Sequence, residues 1–418
     1  MKKNLILSGI GVALAFTSCQ KNELKKNENS LSGRGLEVNA TTTNPTWTNY
    51  FAPSGAWDWT AGDATISIPY VSSGVLTKSF FFHGDSHIGG ITGTNPATAT
   101  RNCMFQAVNN IRRFTHSTSA WESIEGNWGG SGGYAASPLK FEDGLAYWTT
   151  GTGYRLWPHH GFQDGTNIKV LMGKYDGSMV ISKIYLGSFS NTTGTTSDIV
   201  CQPITIRNVN GAQTCLWGAW TIVSGSDVYI YGTQGTSIYL AKTTKANIGN
   251  GSTWSFLTAV NSSGVPTWST TSTTPLNIAP ALSDISNHLS VVKVSNKYVL
   301  IQSAKPVLDC GTGSAGRKIY AYAPKANPWG PFTNSPARKT LYTIPDANVM
   351  TYDAQVHPQL TVGGNSLIIS YNVNDSWCST IACNTGTEQR LASGYRPKFI
   401  NVPVADIDGT LSTVQQTW

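Results

Sequence analysis

Charged side chains are scarce in this sequence. Only 12% of the 418 residues are charged, and Asp and Glu together number 22. No run of Lys or Arg occurs in the part expected to fold, so the electrostatic footprint of a nucleic-acid-binding protein is missing. The sequence also lacks a His-Glu-x-x-His zinc helix and a Gly-rich phosphate loop that opens a helix. We therefore expect no nucleic-acid partner, no metal site and no cofactor.

Small and aromatic residues are abundant instead. The chain has 42 Gly, 14 Trp and 17 Tyr, and 40% of its residues are hydrophobic. Together with the many Thr and Ser residues, this composition favours short strands joined by turns over helices. The Gly-rich stretch "GNWGGSGGYAAS" is interpreted as a flexible rim loop. The sequence therefore predicts an all-β protein.

The N-terminus has the features of a secretory signal. Met1-Lys2-Lys3 precedes an apolar run and then "TSC", which ends in Cys19. A cysteine in this place resembles a bacterial lipobox, which predicts a signal peptide at 1–18, lipidation of Cys19 and a polar, flexible tether at 19–46. The alternative is a plain signal peptide with an incidental cysteine. We expect an exported monomer, attached to the bacterial outer membrane by its lipid anchor.

The other cysteines number six and have a spacing that is compatible with disulfides. Two pairs, Cys201/Cys215 and Cys378/Cys383, are close enough in sequence to close local loops, whereas Cys103 and Cys310 have no near neighbour. Metal binding is the rival interpretation, but no Cys-x-x-Cys pair supports it.

A pair of strands recurs five times along the chain, the first opening on a polar or aromatic residue and the second strongly apolar. The pairs are "DATISIPY" with "KSFFFHGD", "HHGFQDG" with "NIKVLMGKY", "WGAWTIVSG" with "DVYIYGTQG", "HLSVVKVSN" with "KYVLIQSAK", and "HPQLTVGGN" with "SLIISYNVN". A third candidate strand follows each pair: "NCMFQAV", "SKIYLGSF", "SIYLAKTT", "KIYAYAP" and "YRPKFINVPV". This pattern predicts a five-bladed β-propeller at 47–405 with a C-terminal tail at 406–418, and a β-sandwich is less consistent with it.

The inner strands of a propeller line one central channel, so the residues that open these strands converge at its mouth. Three of the seven histidines open repeats in this way. The predicted mouth residues are Asp63, His160, Trp217, Trp220, His288 and His357. Asp85 ends the strand that runs back beside the one opened by Asp63, and so returns to the same rim.

Two carboxylates in one cleft are typical of glycoside hydrolysis, in which one donates a proton to the leaving oxygen and the other acts as base or nucleophile. Asp63 and Asp85 are the candidate pair, although a structural role in a turn is the alternative for each. Trp157, Trp217, Trp220 and Tyr352 are candidates for stacking on sugar rings, with packing between blades as the alternative.

Several segments resemble, in order, the blade signatures of the bacterial DUF4185-type family, glycoside hydrolase family 183. They are "GDATISIPY…FFFHGDSHIGG", "WPHHGF", "WGAWTIVSGSDVYIYGT", "YVLIQS…ANPWGPF" and "HPQL…LIISYNVN…YRPKFINV", and the resemblance covers residues 55–405. The family includes five-bladed propellers that act as endo-D-arabinanases, and its two essential aspartates match Asp63 and Asp85. His87 stands where many members carry an apolar residue.

The resemblance implies internal cleavage of α-D-arabinofuranosyl chains of the type found in mycobacterial arabinogalactan and lipoarabinomannan. On this interpretation Asp63 and Asp85 are catalytic. His160, His288 and His357 bind substrate hydroxyls or tune the carboxylates, and His87 is a further candidate for substrate binding. Two alternatives are cleavage of another furanose polysaccharide, such as L-arabinan, and a non-catalytic glycan-binding lipoprotein.

Overall fold

Strands make up most of the described chain, as the composition predicts. The computed structural model describes residues 41–51, 58–94, 99–102, 105–127, 137–145, 153–178, 180–206, 215–304, 317–345, 349–375, 389–391 and 394–418. The predicted signal peptide, Cys19 and most of the tether lie outside these residues. None of the helices in the described part is long and apolar enough to cross a membrane.

Five antiparallel sheets follow one another along the chain, and the first strand of each sheet packs against the first strand of the next. From its inner to its outer edge, blade 1 consists of Ile66–Ser72, Val75–His83, Asn110–Thr115 and Ala120–Ile124. Blade 2 consists of Arg155–Asp164, Asn167–Tyr175, Ile181–Ser190 and Gln202–Ile204. Blade 3 consists of Leu216–Ser224, Asp227–Gln234, Ser237–Thr244, Ser255–Val260 and Pro266–Ser269.

The last two blades repeat the pattern. Blade 4 consists of Ser290–Val294, Lys297–Ser303, Lys318–Ala321 and Lys339–Thr343. Blade 5 consists of Val349–Val356, Ser366–Asp375, Lys398–Pro403 and the N-terminal Thr42–Thr43. The fold is a five-bladed β-propeller, so the predicted fold class is confirmed.

Smaller elements surround the blades. Three small sheets pair Asp58–Gly62 with Ser86–Gly89 and Phe105–Ala107, Ile91–Thr92 with Thr100–Asn102 and Gln389–Leu391, and Leu139–Lys140 with Ile199–Val200. The helices are Pro45–Tyr50 and Val404–Ile407, with 3₁₀ turns at Lys245–Asn247, Gly251–Thr253 and Pro358–Leu360.

Both ends of the described chain belong to the propeller. Thr42 and Thr43 pair with Asn401 and Ile400, so the first described strand closes the last blade. At the other end, the Thr417 carbonyl accepts a hydrogen bond from the Val223 amide. The first described strand thus joins the sheet of blade 5, and the C-terminal segment 406–418 is hydrogen-bonded to blade 3.

The run Phe80-Phe81-Phe82 is buried because its strand lies between two neighbours. Side chains alternate across a strand. Phe80 and Phe82 pack against Phe189 of blade 2, whereas Phe81 packs on the opposite face against Trp47 and beside Phe399 and Ile368 of blade 5. A strand segment that is covered on both faces carries apolar residues on both faces, and this strand is followed at the rim by Gly84 and Asp85.

Two predicted strand positions are wrong. In blade 5 the inner strand is Val349–Val356, and the segment 357–365 forms a 3₁₀ turn and a loop. In blade 1 the third strand is Asn110–Thr115, and the segment 102–108 contributes Phe105–Ala107 to a separate sheet. The inner strand of blade 5, "VMTYDAQV", opens on an apolar residue, so it did not match the repeated pattern of a strand that opens on a polar or aromatic one.

The predicted Cys201/Cys215 disulfide is also wrong, since both thiols are free and buried. Cys201 Sγ packs against Gly187 in blade 2, while Cys215 Sγ packs against Gly232 in blade 3. The two residues border a connection between blades, so nearness in sequence does not bring them together. The other cysteines of the prediction, Cys103, Cys310, Cys378 and Cys383, lie outside the described residues.

Candidate functional site

Backbone hydrogen bonds hold Asp63 beside Asp85 at the rim of blade 1. The Asp63 amide donates to the Asp85 carbonyl at 3.4 Å, and the Gly84 amide donates to the Asp63 carbonyl at 3.1 Å. Ala64 and Thr65, which follow Asp63, have φ of 67° and 45°. Two successive non-glycine residues in the left-handed region store strain, which is a feature of functional sites.

The Asp63 carboxylate is fixed on both sides. Its Oδ2 atom accepts hydrogen bonds from the hydroxyls of Tyr395 at 2.7 Å and Tyr352 at 3.2 Å. Its Oδ1 atom lies against Gly84, where an added Cβ would be 2.5 Å away. Glycine at 84 therefore leaves the space that this carboxylate occupies.

Asp63 holds its proton at neutral pH. Burial raises the pKa of Asp63 from 3.8 to about 8, and the negative charges of Asp85 and Asp353 act in the same direction. The hydrogen bonds from Tyr395 and Tyr352 lower this pKa but do not outweigh burial.

Asp85 has different surroundings. Its Oδ1 atom accepts a hydrogen bond from the Trp157 indole N–H at 2.9 Å. Burial raises the pKa of Asp85, while Trp157 and the positive charge of Arg155 oppose the rise. Of two adjacent carboxyls, the one with a cation and an indole donor is the one that keeps its charge. We therefore assign the proton to Asp63 and the negative charge to Asp85.

Trp157 is held in place from behind. Its ring packs against Tyr175, with ring centroids 4.9 Å apart. His159 joins Tyr175 to the next blade, because its Nδ1 lies 2.8 Å from the Trp217 carbonyl and its Nε2 lies 2.8 Å from the Tyr175 hydroxyl. Burial lowers the pKa of His159 to about 3. The neutral ring donates a hydrogen bond from Nδ1 to the Trp217 carbonyl and accepts one at Nε2 from the Tyr175 hydroxyl.

An acid–histidine pair borders the same opening. His288 Nδ1 lies 2.9 Å from Asp353 Oδ1, and both side chains are largely buried. Burial lowers the pKa of His288, but the charges of Asp353 and Asp63 outweigh it, so that the net shift is upward. The described residues contain no group of three or more His, Cys, Asp or Glu side chains arranged to hold a metal ion.

Five of the predicted site residues come together in this opening. Asp63, Asp85, Trp157 and Tyr352 are linked by the hydrogen bonds described above, and His288 borders them through Asp353. Trp157 and Tyr352 both remain partly exposed. Their candidate roles as sugar contacts are therefore compatible with their positions.

His160 and His357 lie deeper than predicted. His357 Nδ1 is 2.6 Å from the hydroxyl of Ser67, which lies four residues beyond Asp63, inside the inner strand of blade 1. His160 Nδ1 is 2.8 Å from the Thr221 hydroxyl. Both histidines were placed at strand starts, but the inner strands of blades 2 and 5 begin earlier, at Arg155 and Val349. Burial lowers the pKa of each to about 3, so both are neutral structural residues of the channel.

Trp217, Trp220 and His87 do not present their side chains at the rim. Trp217 is 2% exposed and packs against Trp254 and other residues of blade 3. Trp220 is also 2% exposed and stacks on His160, with centroids 3.8 Å apart. His87 is 4% exposed and lies edge-on to Tyr395. These three rings are packing residues, which was the alternative for large side chains.

Sequence reasoning missed Arg155, Asp353 and Tyr395. Asp353 is the acidic residue of an inner strand that was not recognised, so a correct strand assignment would have found it. Arg155 opens the inner strand of blade 2, where "HHGF" attracted attention instead. Tyr395 opens the predicted third strand "YRPKFINVPV", but the observed strand begins at Lys398, and Tyr395 lies in the turn before it.

Comparison with known proteins identifies one family. The sequence profile of the family described as Domain of unknown function (DUF5005) matches residues 44–418. No curated protein matches the chain. These findings do not confirm the resemblance to the DUF4185-type family.

Solved structures share the fold. A protein from Bacteroides ovatus ATCC 8483, proposed to be a hydrolase, is 19% identical with a TM-score of 0.64, over 88% of this chain and 92% of that chain. A GH43_1 enzyme from Xanthomonas citri is 12% identical with a TM-score of 0.44, over 88% and 98% of the two chains. An exo-beta-1,3-galactanase from Phanerochaete chrysosporium is 10% identical with a TM-score of 0.45, over 86% and 65%. The last two similarities are too low to bear on function. Because the DUF5005 profile covers residues 44–418, the chain belongs to this family.

Proposed function

We propose that the protein is a glycoside hydrolase that cuts α-D-arabinofuranosyl linkages within arabinan chains. One observation carries the proposal: two carboxyls of the same blade share one opening but have unlike surroundings. Asp63 has two anionic neighbours, whereas Asp85 has an indole donor and the Arg155 cation. Such a difference assigns the acid and the base of a glycosidase.

In this scheme Asp63 is the general acid. Its proton is retained at neutral pH and passes to the oxygen of the leaving sugar as the glycosidic bond breaks. The hydroxyls of Tyr395 and Tyr352 already donate to Oδ2, so they stabilise the carboxylate that proton transfer creates. Asp85 is the ionised partner, which activates a water or attacks the anomeric carbon itself.

Trp157 has two functions in the scheme. Its N–H keeps Asp85 charged, and its partly exposed ring lies beside the reacting groups, where the apolar face of a sugar ring can pack. A protein that only binds glycans gains little from two adjacent buried carboxyls, because burial disfavours their ionised form and one of them must keep its proton. This argument favours catalysis over passive binding.

The choice of D-arabinan is supported by the blade signatures that resemble the endo-D-arabinanase family. We further propose that the protein is exported and anchored by a lipid on Cys19, on the strength of the N-terminal sequence alone. Membrane fractionation of cells that produce a Cys19→Ala variant tests this: release from the membrane is expected, and retention contradicts lipidation.

The hydrolase proposal is tested by incubating the purified protein with mycobacterial arabinogalactan and separating the products. Short arabino-oligosaccharides are expected. Asp63→Asn and Asp85→Asn should each lower the rate by about 10²- to 10⁴-fold, which is typical of the loss of an acid or base. A folded variant that keeps the wild-type rate rejects the role of that aspartate.

A matched control comes from Asp164, at the other end of an inner strand. Its carboxylate pairs with Lys169 at 2.7 Å and is 34% exposed. Asp164→Asn should retain full activity. Parallel reactions with L-arabinan and other furanose polymers identify the substrate. If oligosaccharides are released from L-arabinan alone, L-arabinan replaces D-arabinan as the proposed substrate.

A further inference from the structure

A third carboxylate, Asp353, borders the opening and has no part in the scheme above. It follows Tyr352, whose hydroxyl donates to Asp63, in the inner strand of blade 5. The strand register shifts between Tyr352 and Gln355, so Asp353 sits in a β-bulge. The inner strands of blades 2 and 3 bulge at the corresponding place, between Pro158 and Gly161 and between Trp217 and Trp220. A bulge at the rim re-aims a side chain.

The backbone of Asp353 is in the left-handed region, with φ of 50°. At the corresponding bulge of blade 3 this conformation is taken by Gly218, with φ of 95°. Glycine adopts it without strain, whereas aspartate does so at a cost. An acidic side chain at this position therefore lowers stability relative to glycine unless its carboxylate makes a compensating interaction.

Part of that interaction is the ion pair with His288. Asp353 Oδ1 lies 2.9 Å from His288 Nδ1, and the two side chains are 15% and 13% exposed. The second oxygen, Oδ2, receives no hydrogen bond from the described part of the chain. A carboxylate has about four acceptor sites, so this oxygen is available to a hydroxyl donor.

The position of this oxygen suits contact with a hydroxyl of a bound sugar. The negative charge of Asp353 acts on Asp63 and on Tyr352, which places it beside the proposed acid. His288 lies against His159, with ring centroids 6.0 Å apart, and His159 supports Tyr175 behind Trp157. Asp353 thus borders the space between the acid and the indole ring, where the reacting sugar would lie.

We propose that Asp353 binds a hydroxyl of the sugar ring that carries the cleaved bond, and that His288 is a positioning residue that holds the Asp353 carboxylate. The inference rests on the proposed glycoside hydrolase function and extends it to substrate recognition. A hydrogen bond between a hydroxyl and a carboxylate is stronger than one between neutral groups. The site therefore selects for sugars with a free hydroxyl at this ring position.

The competing explanation is structural: the ion pair serves only to join blade 5 to blade 4, since His288 lies two residues before the strand Ser290–Val294. Two substitutions separate the explanations. Asp353→Asn keeps the size of the side chain and tolerates the left-handed backbone but removes the charge. Asp353→Gly removes the side chain and relieves the backbone. If Asp353 serves stability alone, both variants unfold at lower temperature; if it serves binding, Asp353→Gly keeps or gains thermal stability while affinity falls.

Binding is measured by isothermal titration calorimetry with a short arabino-oligosaccharide, in an Asp85→Asn background that prevents turnover. Asp353→Asn and Asp353→Gly should weaken binding by about 10- to 100-fold, as the loss of a hydrogen bond to a charged group predicts. His288→Gln, in the otherwise wild-type enzyme, should raise KM with little change in kcat. Asp164→Asn is the matched control in both backgrounds and should change neither affinity nor KM.

Deoxy analogues of the oligosaccharide, each lacking one hydroxyl of the reacting ring, complete a double-mutant cycle. One analogue should bind the Asp85→Asn protein about tenfold or more weakly than the complete oligosaccharide does. The affinity for this analogue should not fall further when Asp353→Gly is added. The inference is overturned if both Asp353 variants bind every analogue as the parent does, or if they lose thermal stability while affinity is unchanged. In those cases hydrolysis of arabinogalactan by the wild-type protein still supports the proposed function. If the wild-type protein neither binds nor cuts any furanose polymer, the proposed function fails and the inference with it.

Discussion

Replacing Trp157 with Phe removes one hydrogen bond and leaves most of an aromatic ring. The bond runs from the indole N–H to Asp85 Oδ1 at 2.9 Å. A hydrogen bond to a charged group contributes about 1.5–3 kcal/mol, and partial exposure of Trp157 places this one at the lower end. Since 1.36 kcal/mol corresponds to one pKa unit, we expect the pKa of Asp85 to rise by about one unit.

The assay is the pH dependence of kcat/KM for oligosaccharide release, which reports on the free enzyme. Its acid limb should follow Asp85 and move to higher pH by about one unit in Trp157→Phe. Its basic limb should follow Asp63, whose pKa is raised to about 8, and should hardly move. Trp329→Phe is the matched control, because the Trp329 indole donates to the Gly264 carbonyl at 3.2 Å, far along the chain from the aspartates. An acid limb that stays in place, or moves to lower pH, refutes the assignment of the ionised partner to Asp85.

Three further predictions concern the same chain. Gly84→Ala would place a Cβ 2.5 Å from Asp63 Oδ1 and should displace the carboxylate from Tyr395. We expect kcat to fall by at least about tenfold with little change in melting temperature. Unchanged kinetics would show that the contact is easily relieved. Because the pKa of Asp63 rises from 3.8 to about 8 on folding, the wild-type protein should lose stability as the pH rises from about 4 to 8. The melting temperature of Asp63→Asn should therefore increase relative to that of the wild type over this pH range. A difference in melting temperature that does not change with pH would contradict the raised pKa. Burial raises the pKa of Cys201 to about 12 and that of Cys215 well above its ordinary value, so mass spectrometry should find both unmodified by iodoacetamide in the native protein and modified after denaturation; rapid native labelling would contradict their burial.

The repeated strand pairs allowed the fold to be predicted without coordinates. Alternation of side chains and the spacing of turns are local properties, and they identified the inner strands of blades 1, 3 and 4 close to their observed bounds. The same reasoning failed in blade 5, where the inner strand carries Thr351, Asp353 and Gln355 among its apolar residues. That strand opens on Val349 and not on a polar or aromatic residue, so it does not match the repeated pattern.

Bulges explain why the predicted mouth residues were only partly right. Each bulge inserts a residue and reverses which side chains face the channel from that point. His160 lies within the bulge of blade 2 and stacks on Trp220, whereas Trp157 precedes the bulge and reaches Asp85. No composition or spacing rule reveals such a shift in advance.

The sequence by itself determined the strand content, the number of blades and the two aspartates of the first blade, because these depend on residue type and local periodicity. Only the tertiary structure decided which aspartate holds the proton and which groups surround the pair. Tyr352, Tyr395 and Asp353 come from the last blade and Trp157 from the second, so they meet Asp63 and Asp85 only when the ring of blades closes. The pKa of a carboxyl depends on burial and on charges within a few ångströms, and those neighbours are set by closure of the propeller and not by distance along the chain.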